Sequence, residues 1–322
     1  MKKLVVGVDI GGTNTVFGIV DREGKMYGEG VISTRKFPDF DVYIEELYIS
    51  INELIKSIGD EYEIIGIGVG APNANYYEGT IENAANLVWK GVVPFTEKLK
   101  RYFTNIPVII TNDANAAAIG EMVYGGAKGM KNFIVVTLGT GLGSGFVANG
   151  ELIYGHDSFA GELGHVTVNR TPSGRVCGCG RKGCLETYVS ATGIKRTAFK
   201  LIADNICDSE FRNISYNDLT AEMITRAALN EDPLAIEAYE YTGMVLGQAL
   251  ADAVTITSPE AIFLFGGLAK AGKYIFEPTR KYMEMHMFAN FRNKVKILPS
   301  GIDDKNAAVL GAAALIWQKT DE

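Results

Sequence analysis

The chain has 322 residues, 47% of them apolar and 21% charged, with a formal net charge of −7. That length admits one large domain or two ordinary ones, and the apolar share excludes a disordered chain. The acidic balance argues against non-specific binding to nucleic acid or to anionic membranes, and no apolar run reaches the length of a membrane span.

The N-terminus, Met1–Gly12, holds two lysines and a short apolar run interrupted by Asp9, which reads as a first strand rather than a signal peptide. Without an export signal the expected compartment is the cytoplasm, where structural disulfides are rare. Val5, Val6 and Val8 form the strand, Gly11 and Gly12 turn it, and residues 16–20 run back before a second turn at 21–25. Residues 41–58 place Ile44, Leu47, Tyr48, Ile51, Leu54, Ile55 and Ile58 at helical spacing. Two buried strands follow, one ending at Ala71-Pro72 and one at Thr111, with a helix behind the second.

The opening pattern then returns. Residues 132–155 read as an apolar strand, a glycine turn, a strand, a tight Asn149-Gly150 turn and a third strand. Overlaying the two units puts Asp9 over Thr137 and Gly11 over Gly139, which points to two related lobes. Past Thr187 the chain is mostly helical. A strand and turn at 261–272 follow, and the last helix is apolar on most sides and therefore expected to be buried.

Three glycine-rich turns, Asp9–Asn14, Leu138–Gly145 and Phe265–Gly272, can present backbone N–H groups to phosphate oxygens. Each alone is equally well a tight turn. None carries a dinucleotide fingerprint, and Gly267–Lys273 fails as a P-loop because Tyr274 stands where Ser or Thr would hold Mg²⁺. Together they suit a nucleoside triphosphate bound between two lobes, with Thr13 and Thr140 donating to phosphates and Asp9 holding Mg²⁺ through water. Asn112 and Asp113 lie where a strand stops and a helix starts. Either can be an N-cap, but a carboxylate at the C-terminal edge of a buried strand is also the position for a general base accepting an alcohol proton.

Three of the four cysteines cluster with a histidine. His165, Cys177, Cys179 and Cys184 make a Cys₃His set suited to tetrahedral Zn²⁺, in a glycine-rich loop where Arg175, Arg181 and Lys182 can offset thiolate charge. The Cys-x-Cys step is shorter than the usual zinc knuckle, and redox cysteines or a chance cluster are the alternatives. Cys207 stands apart and reads as a small core or surface residue.

The ordered segments "DIGGTN", "NDANAAA", "LGTGLGSG", "GELGH", "CGCGRKGCLE" and "FGG" resemble those of the ROK family (repressors, open reading frames, kinases) on its sugar-kinase side, over nearly the whole chain. The resemblance implies an α/β fold of two ribonuclease-H-like lobes of the actin/hexokinase type around a central cleft. It implies a smaller N-terminal lobe of residues 1–115 with the C-terminal helix 304–322, and a larger lobe of 116–303 with a zinc loop at 165–186. It further implies ATP- and Mg²⁺-dependent phosphorylation of a hexose at its C6 hydroxyl, glucose first, with N-acetylmannosamine, N-acetylglucosamine and fructose as alternative substrates.

In such kinases the aspartate matching Asp113 is the base. Residues matching Asn86, Asn112, Asp113, Glu162, His165 and Glu186 hold the sugar, and His165 with the three cysteines binds a structural zinc. Mg²⁺·ATP is expected against Asp9, Gly11, Gly12, Thr13, Thr140 and Gly141, with Gly266 and Gly267 near the adenosine. The expected assembly is a homodimer or homotetramer with no nucleic-acid or membrane partner. Ala71-Pro72-Asn73 departs from the family's commoner Gly-Pro pair. A sugar-responsive repressor is the alternative within the family, but its DNA-binding domain would need to precede Asp9, where this sequence has only eight residues. An actin-class ATPase would not explain the Cys₃His set.

Overall fold

The structure is a computed structural model and describes residues 1–302 and 306–320. The chain divides into two compact units. The first comprises Met1–Met130, Glu151–Gly161 and the described residues from Ser300 on; the second comprises Lys131–Gly150 and Glu162–Pro299. The boundary expected after residue 115 is corrected. It would cut a helix, Asp113–Val123, that packs along the C-terminal helix Ala307–Thr320 and belongs wholly to the first unit. The two units are also of similar size rather than one smaller and one larger. Residues 304–305 and 321–322 of the expected C-terminal helix lie outside the described residues.

In the first unit, strands β1 (Lys2–Ile10), β2 (Asn14–Val20), β3 (Met26–Ser33), β4 (Tyr62–Gly70) and β5 (Val108–Thr111) form a sheet of order β3-β2-β1-β4-β5. The first three strands pair antiparallel, whereas β1–β4 and β4–β5 are parallel. Side chains alternate along β1 as the pleat requires. Leu4, Val6, Val8 and Ile10 join a core with Tyr43, Ile44, Leu47 and Ile51 of helix α1 (Phe40–Ser57). Asp39 caps α1 by accepting from the N–H groups of Asp41 and Val42.

The opposite face of β1 and β4 meets the C-terminal helix at backbone distance. A Cβ on Gly7 would lie 2.1 Å from the Val309 carbonyl oxygen, and one on Gly68 would lie 1.9 Å from that of Ala312. Glycine alone permits this approach, and the helix answers with a buried run from Val309 to Trp317. Helices α2 (Phe95–Lys100) and α3 (Asp113–Val123) complete the unit.

In the second unit, β6 (Phe133–Leu138) and β7 (Leu142–Ala148) form an antiparallel hairpin. Strands β8 (Ala261–Phe265) and β9 (Lys296–Pro299) extend it in parallel, in the order β7-β6-β8-β9. This repeats the β2-β1-β4-β5 pattern of the first unit. Asp9 is the penultimate residue of β1 and Thr137 that of β6, as the overlay of the two segments requires. Asn149 and Gly150 both have positive φ, 56° and 86°, as a tight turn there needs.

Helices α4 (Ala191–Asp204), α5 (Ala221–Leu229), α6 (Pro233–Thr257) and α7 (Lys273–His286) bury Ile134, Val136 and Leu138 in a second core. Asp232 caps α6 ahead of Pro233 and breaks what reads as one long helical stretch into two. Cys207 is exposed.

Candidate functional site

In the first unit, three parallel strand ends set the site. Asp9 of β1 pairs in register with Gly70 of β4, and Gly70 pairs with Thr111 of β5. Gly70 has no side chain to separate its neighbours. A Cβ built there would lie 4.0 Å from Asp9 Oδ1 and 3.8 Å from the Asp113 Cα. Two carboxylates more than a hundred residues apart in sequence therefore converge over one glycine at the C-terminal edge of the sheet.

Burial, and then the charge of Asp113, push the Asp9 carboxyl from 3.8 up to about 6. The Asp113 side chain keeps an accessible face, yet the protein crowded around it desolvates the carboxyl and raises its pKa, against the pull of the Ala114 N–H. Asn112 is the N-cap of α3, its Oδ1 accepting from Ala114 N–H at 2.9 Å. Asn112 thus caps the helix, and Asp113, whose Oδ1 shares the Ala114 N–H at 2.8 Å, is the carboxylate beside Asp9.

The turn Gly11–Thr13 joins β1 to β2. Gly11 N–H closes it on the Asn14 carbonyl at 2.9 Å, while the amides of Gly12 and Thr13 have no backbone partner among the described residues. A Cβ on Gly12 would stand 2.5 Å from the Asn86 carbonyl oxygen, so the loop carrying Asn86 lies against this turn, with the Asn86 side chain exposed. Beneath the turn, Thr15, Thr34 and Tyr43 form a buried hydroxyl cluster at 2.9 and 2.8 Å. Asn73, in the departing Ala-Pro-Asn segment, has φ 52° and donates through Nδ2 to the Glu82 carbonyl, which fixes the start of the Asn86 loop.

In the second unit, the matching turn Gly139–Gly141 is closed by Gly139 N–H on the Gly141 carbonyl at 3.1 Å, and Thr140 is exposed. Gly266, at φ 98°, lies against the end of β6; a Cβ there would be 2.7 Å from the Leu138 carbonyl oxygen. Gly267 beside it is exposed, so two of the glycine turns meet at one sheet edge. Gly141 also adjoins Glu186, whose Oε2 would be 2.9 Å from a Cβ on that glycine.

The cysteine loop is a small hairpin bridged at Val176 and Lys182 and turned by hydrogen bonds between Cys177 and Arg181 and between Gly180 and Cys177. The ligand atoms of His165, Cys177, Cys179 and Cys184 all lie within 4.8 Å of one another. Cys179 and Cys184 sulfurs are 3.7 Å apart, and His165 Nδ1 is 3.8 Å from Cys177 Sγ. A tetrahedron with Zn–S bonds of about 2.3 Å has an S–S edge of about 3.8 Å, so this donor set fits zinc. Although burial raises the Cys179 thiol, the Arg181 N–H and side chain pull it down to about 6, which favours a thiolate ligand. Glu186 Oε1 accepts from Cys177 Sγ at 2.9 Å and lies 3.8 Å from His165 Nδ1. The "GELGH" turn is seated by Leu163 N–H on Ser144 Oγ and by Gly164, whose Cβ would meet the Leu142 carbonyl at 2.2 Å. This leaves Glu162 exposed at its start.

A ROK family model matches residues 5–319. The chain belongs to the ROK family. A glucokinase of Halalkalibacterium halodurans is 34% identical to it, over 98% of this chain and 95% of that protein. A glucokinase of Streptomyces coelicolor is also 34% identical, over 97% of each. The solved structure of a ROK family glucokinase from Streptomyces griseus in complex with glucose and AMPPNP is similar with a TM-score of 0.79 at 28% identity, covering 98% of this chain and 99% of that one. The α/β fold with its two hairpin-led sheets is thus the actin/hexokinase-type fold of ROK sugar kinases.

Within this ROK chain the structure assembles the expected residues in two groups. Asp9, Gly11, Gly12, Thr13, Asn86, Asn112 and Asp113 gather at one sheet edge of the first unit. Thr140, Gly141, Glu162, His165, Glu186, Gly266, Gly267 and the cysteines gather in the second. One sequence reading needs correction. Arg175 does not face the thiolates. Its guanidinium bonds the carbonyls of Thr187 and Gly193 and the Thr197 hydroxyl, and lies 4.5 Å over the Tyr188 ring. Nothing in the local spacing could reveal this, because its partners come from residues 187–197, after the loop, on the turn at Thr187 and Tyr188 and in the first turns of α4.

Proposed function

We propose that the chain is an ATP-dependent hexokinase that phosphorylates the C6 hydroxyl of glucose. The observation that carries this reading is the convergence of Asp113 and Asp9 across Gly70, next to a glycine turn with unpartnered amides. A carboxylate held at a raised pKa is a competent acceptor for an alcohol proton, and a second carboxylate beside it suits a hydrated hard cation. Full-length similarity to two glucokinases supports the same chemistry and glucose as the substrate.

Asp113 orients the C6 hydroxyl and takes its proton as the γ-phosphoryl departs from ADP. Asn86, the Asn112 Nδ2, Glu162, Glu186 and His165 supply the short polar side chains that an uncharged pyranose requires. Amides at Gly12, Thr13, Thr140 and Gly141, with the Thr13 and Thr140 hydroxyls, cradle phosphate oxygens, and Gly266 and Gly267 leave room for the nucleoside. Asp9 would hold a hydrated Mg²⁺. That ion, when bound, neutralises phosphate charge.

His165, Cys177, Cys179 and Cys184 would hold a structural zinc, and that ion would fix the loop so that His165 keeps one ring nitrogen for the sugar and Glu186 stays in place. Among the described residues no helix is long and apolar enough to cross a membrane. A cytoplasmic enzyme assembled as a homodimer or homotetramer belongs with this reading.

The test is coupled ADP release with Mg²⁺·ATP against hexoses and N-acetylhexosamines. A rate that depends on glucose and exceeds that of every other sugar is expected. A preference for another sugar would move the substrate assignment, and ADP release indifferent to any sugar would overturn the kinase reading.

A further inference from the structure

Arg175 sits two residues before the first cysteine of the loop, yet its side chain turns away from the cysteines. Nη1 donates to the Thr187 carbonyl at 2.9 Å and to the Gly193 carbonyl at 3.0 Å, and Nη2 donates to Thr197 Oγ1 at 3.0 Å. The guanidinium stacks over Tyr188, and the Arg175 backbone N–H donates to the hydroxyl of the same tyrosine at 3.1 Å. Its charge is met by carbonyl dipoles and a ring face.

Each anchor leads to a different part of the proposed site. Thr187 directly follows Glu186. Gly193 lies in the first turn of α4, whose first N–H, that of Ala191, donates to the Gly139 carbonyl at 2.8 Å, and whose Thr192 hydroxyl donates to the Thr140 carbonyl at 3.4 Å. Gly139 and Thr140 form the phosphate turn. The backbone of Arg175 meanwhile starts the metal loop, its carbonyl accepting from Gly183 N–H at 2.8 Å. Glu186 Oε2 lies directly beside the phosphate turn, 2.9 Å from where a Cβ on Gly141 would stand.

We infer that Arg175 is a positioning residue. It locks the sugar-side carboxylate Glu186 and the phosphate turn 139–141 at a fixed spacing, and so couples sugar binding to nucleotide binding within the second unit. A planar fork with several donors is needed to reach two carbonyls and a hydroxyl at once; an ammonium on a flexible stem cannot reproduce it. The coupling runs through a contiguous chain of hydrogen bonds in which every link is present in the structure. The inference rests on the kinase reading above.

The experiment compares the wild-type protein with Arg175→Lys, which keeps the charge and loses the fork. Three quantities are measured: zinc content, KM for glucose and for ATP, and the factor by which glucose tightens binding of a non-hydrolysable ATP analogue. Arg175→Lys is expected to keep its zinc. It should lose about tenfold or more in kcat/KM, with both KM values raised, and its glucose-dependent tightening of the analogue should fall towards unity.

Guanidinium ion at millimolar concentration should restore part of the activity of Arg175→Gly, while ammonium should not. A lysine variant of normal kinetics and normal coupling overturns the inference, and so does one whose loss is confined to stability. If the arginine variants do not fold, Thr197→Val removes the Nη2 acceptor with the guanidinium in place; it must weaken the same coupling, and unchanged coupling overturns the proposal. Failure of wild type to phosphorylate any sugar would instead sink the kinase reading, so the two failures are distinguishable.

Discussion

Asp9 offers a prediction in which stability and function move in opposite directions. Its carboxyl is partly buried, and burial followed by the charge of Asp113 lifts its pKa from 3.8 to about 6. The native state therefore holds this proton more tightly than the unfolded chain does. Near pH 3 and below both states are protonated and the group contributes nothing; between there and about pH 6 the unfolded state ionises first, so stability falls as pH rises.

At neutral pH the full gap corresponds to about 3 kcal/mol at about 1.36 kcal/mol per pKa unit, which partial exposure reduces to about 2 kcal/mol. Asp9→Asn mimics the protonated form at every pH. Urea denaturation without Mg²⁺ or nucleotide should therefore find the variant about 2 kcal/mol more stable than wild type near pH 7.5 and about equal to it near pH 3. Its Mg²⁺·ATP-dependent turnover should be largely lost. A stability difference that does not change with pH, or a variant less stable than wild type at neutral pH, would refute the argument that ionising Asp9 opposes folding.

Three further perturbations test other links. Cys179→Ser removes the ligand whose sulfur lies 3.7 Å from Cys184; zinc measured by elemental analysis should be lost and the glucose KM should rise about tenfold, and a zinc-free variant of normal KM would make the metal incidental to the sugar. Gly68→Ala forces a methyl to within 1.9 Å of the Ala312 carbonyl, so thermal unfolding should show a loss of about 3 kcal/mol as the C-terminal helix is pushed off the sheet. Glu121 is buried and accepts from Gly126 N–H at 2.8 Å, from Gly301 N–H at 3.0 Å and from the Ser300 hydroxyl; Glu121→Gln turns an N–H group towards these donors and should cost about 1–3 kcal/mol in chemical denaturation.

The sequence made some of this legible because the information was local. The repeated strand–glycine–strand unit shows in the apolar run of Val5, Val6 and Val8 and in glycines that tolerate a tight turn, and the structure repeats the sheet pattern at both places. The Cys₃His cluster was legible for the same reason, since Cys177, Cys179 and Cys184 fall within eight residues of one another and His165 stands only twelve before Cys177.

The adjacency of Asp9 and Asp113 is a different matter. It depends on β4 inserting between β1 and β5 and on a glycine standing where the three strand ends align, which no spacing rule encodes. The limits of the units were misplaced for a similar reason. Helix α3 begins at Asp113 itself, and its allegiance is decided by a helix nearly two hundred residues later, where Gly311 packs on Ala116 and Gly120. Arg175 looked like a counter-charge to its neighbours in sequence. Its partners, the carbonyls of Thr187 and Gly193, became visible only when the chain had folded back over it.

The most direct test of the account is Asp113→Asn, assayed for glucose binding by calorimetry and for turnover by ADP release in the same preparation. The substitution keeps the shape of the side chain at the N-terminus of α3 while removing its charge and its capacity to accept a proton. Binding within a few-fold of wild type with turnover reduced about 10³-fold is the result the account predicts. Turnover within tenfold of wild type would show that another group takes the proton, and the reading of this strand-end carboxylate as the base would fall.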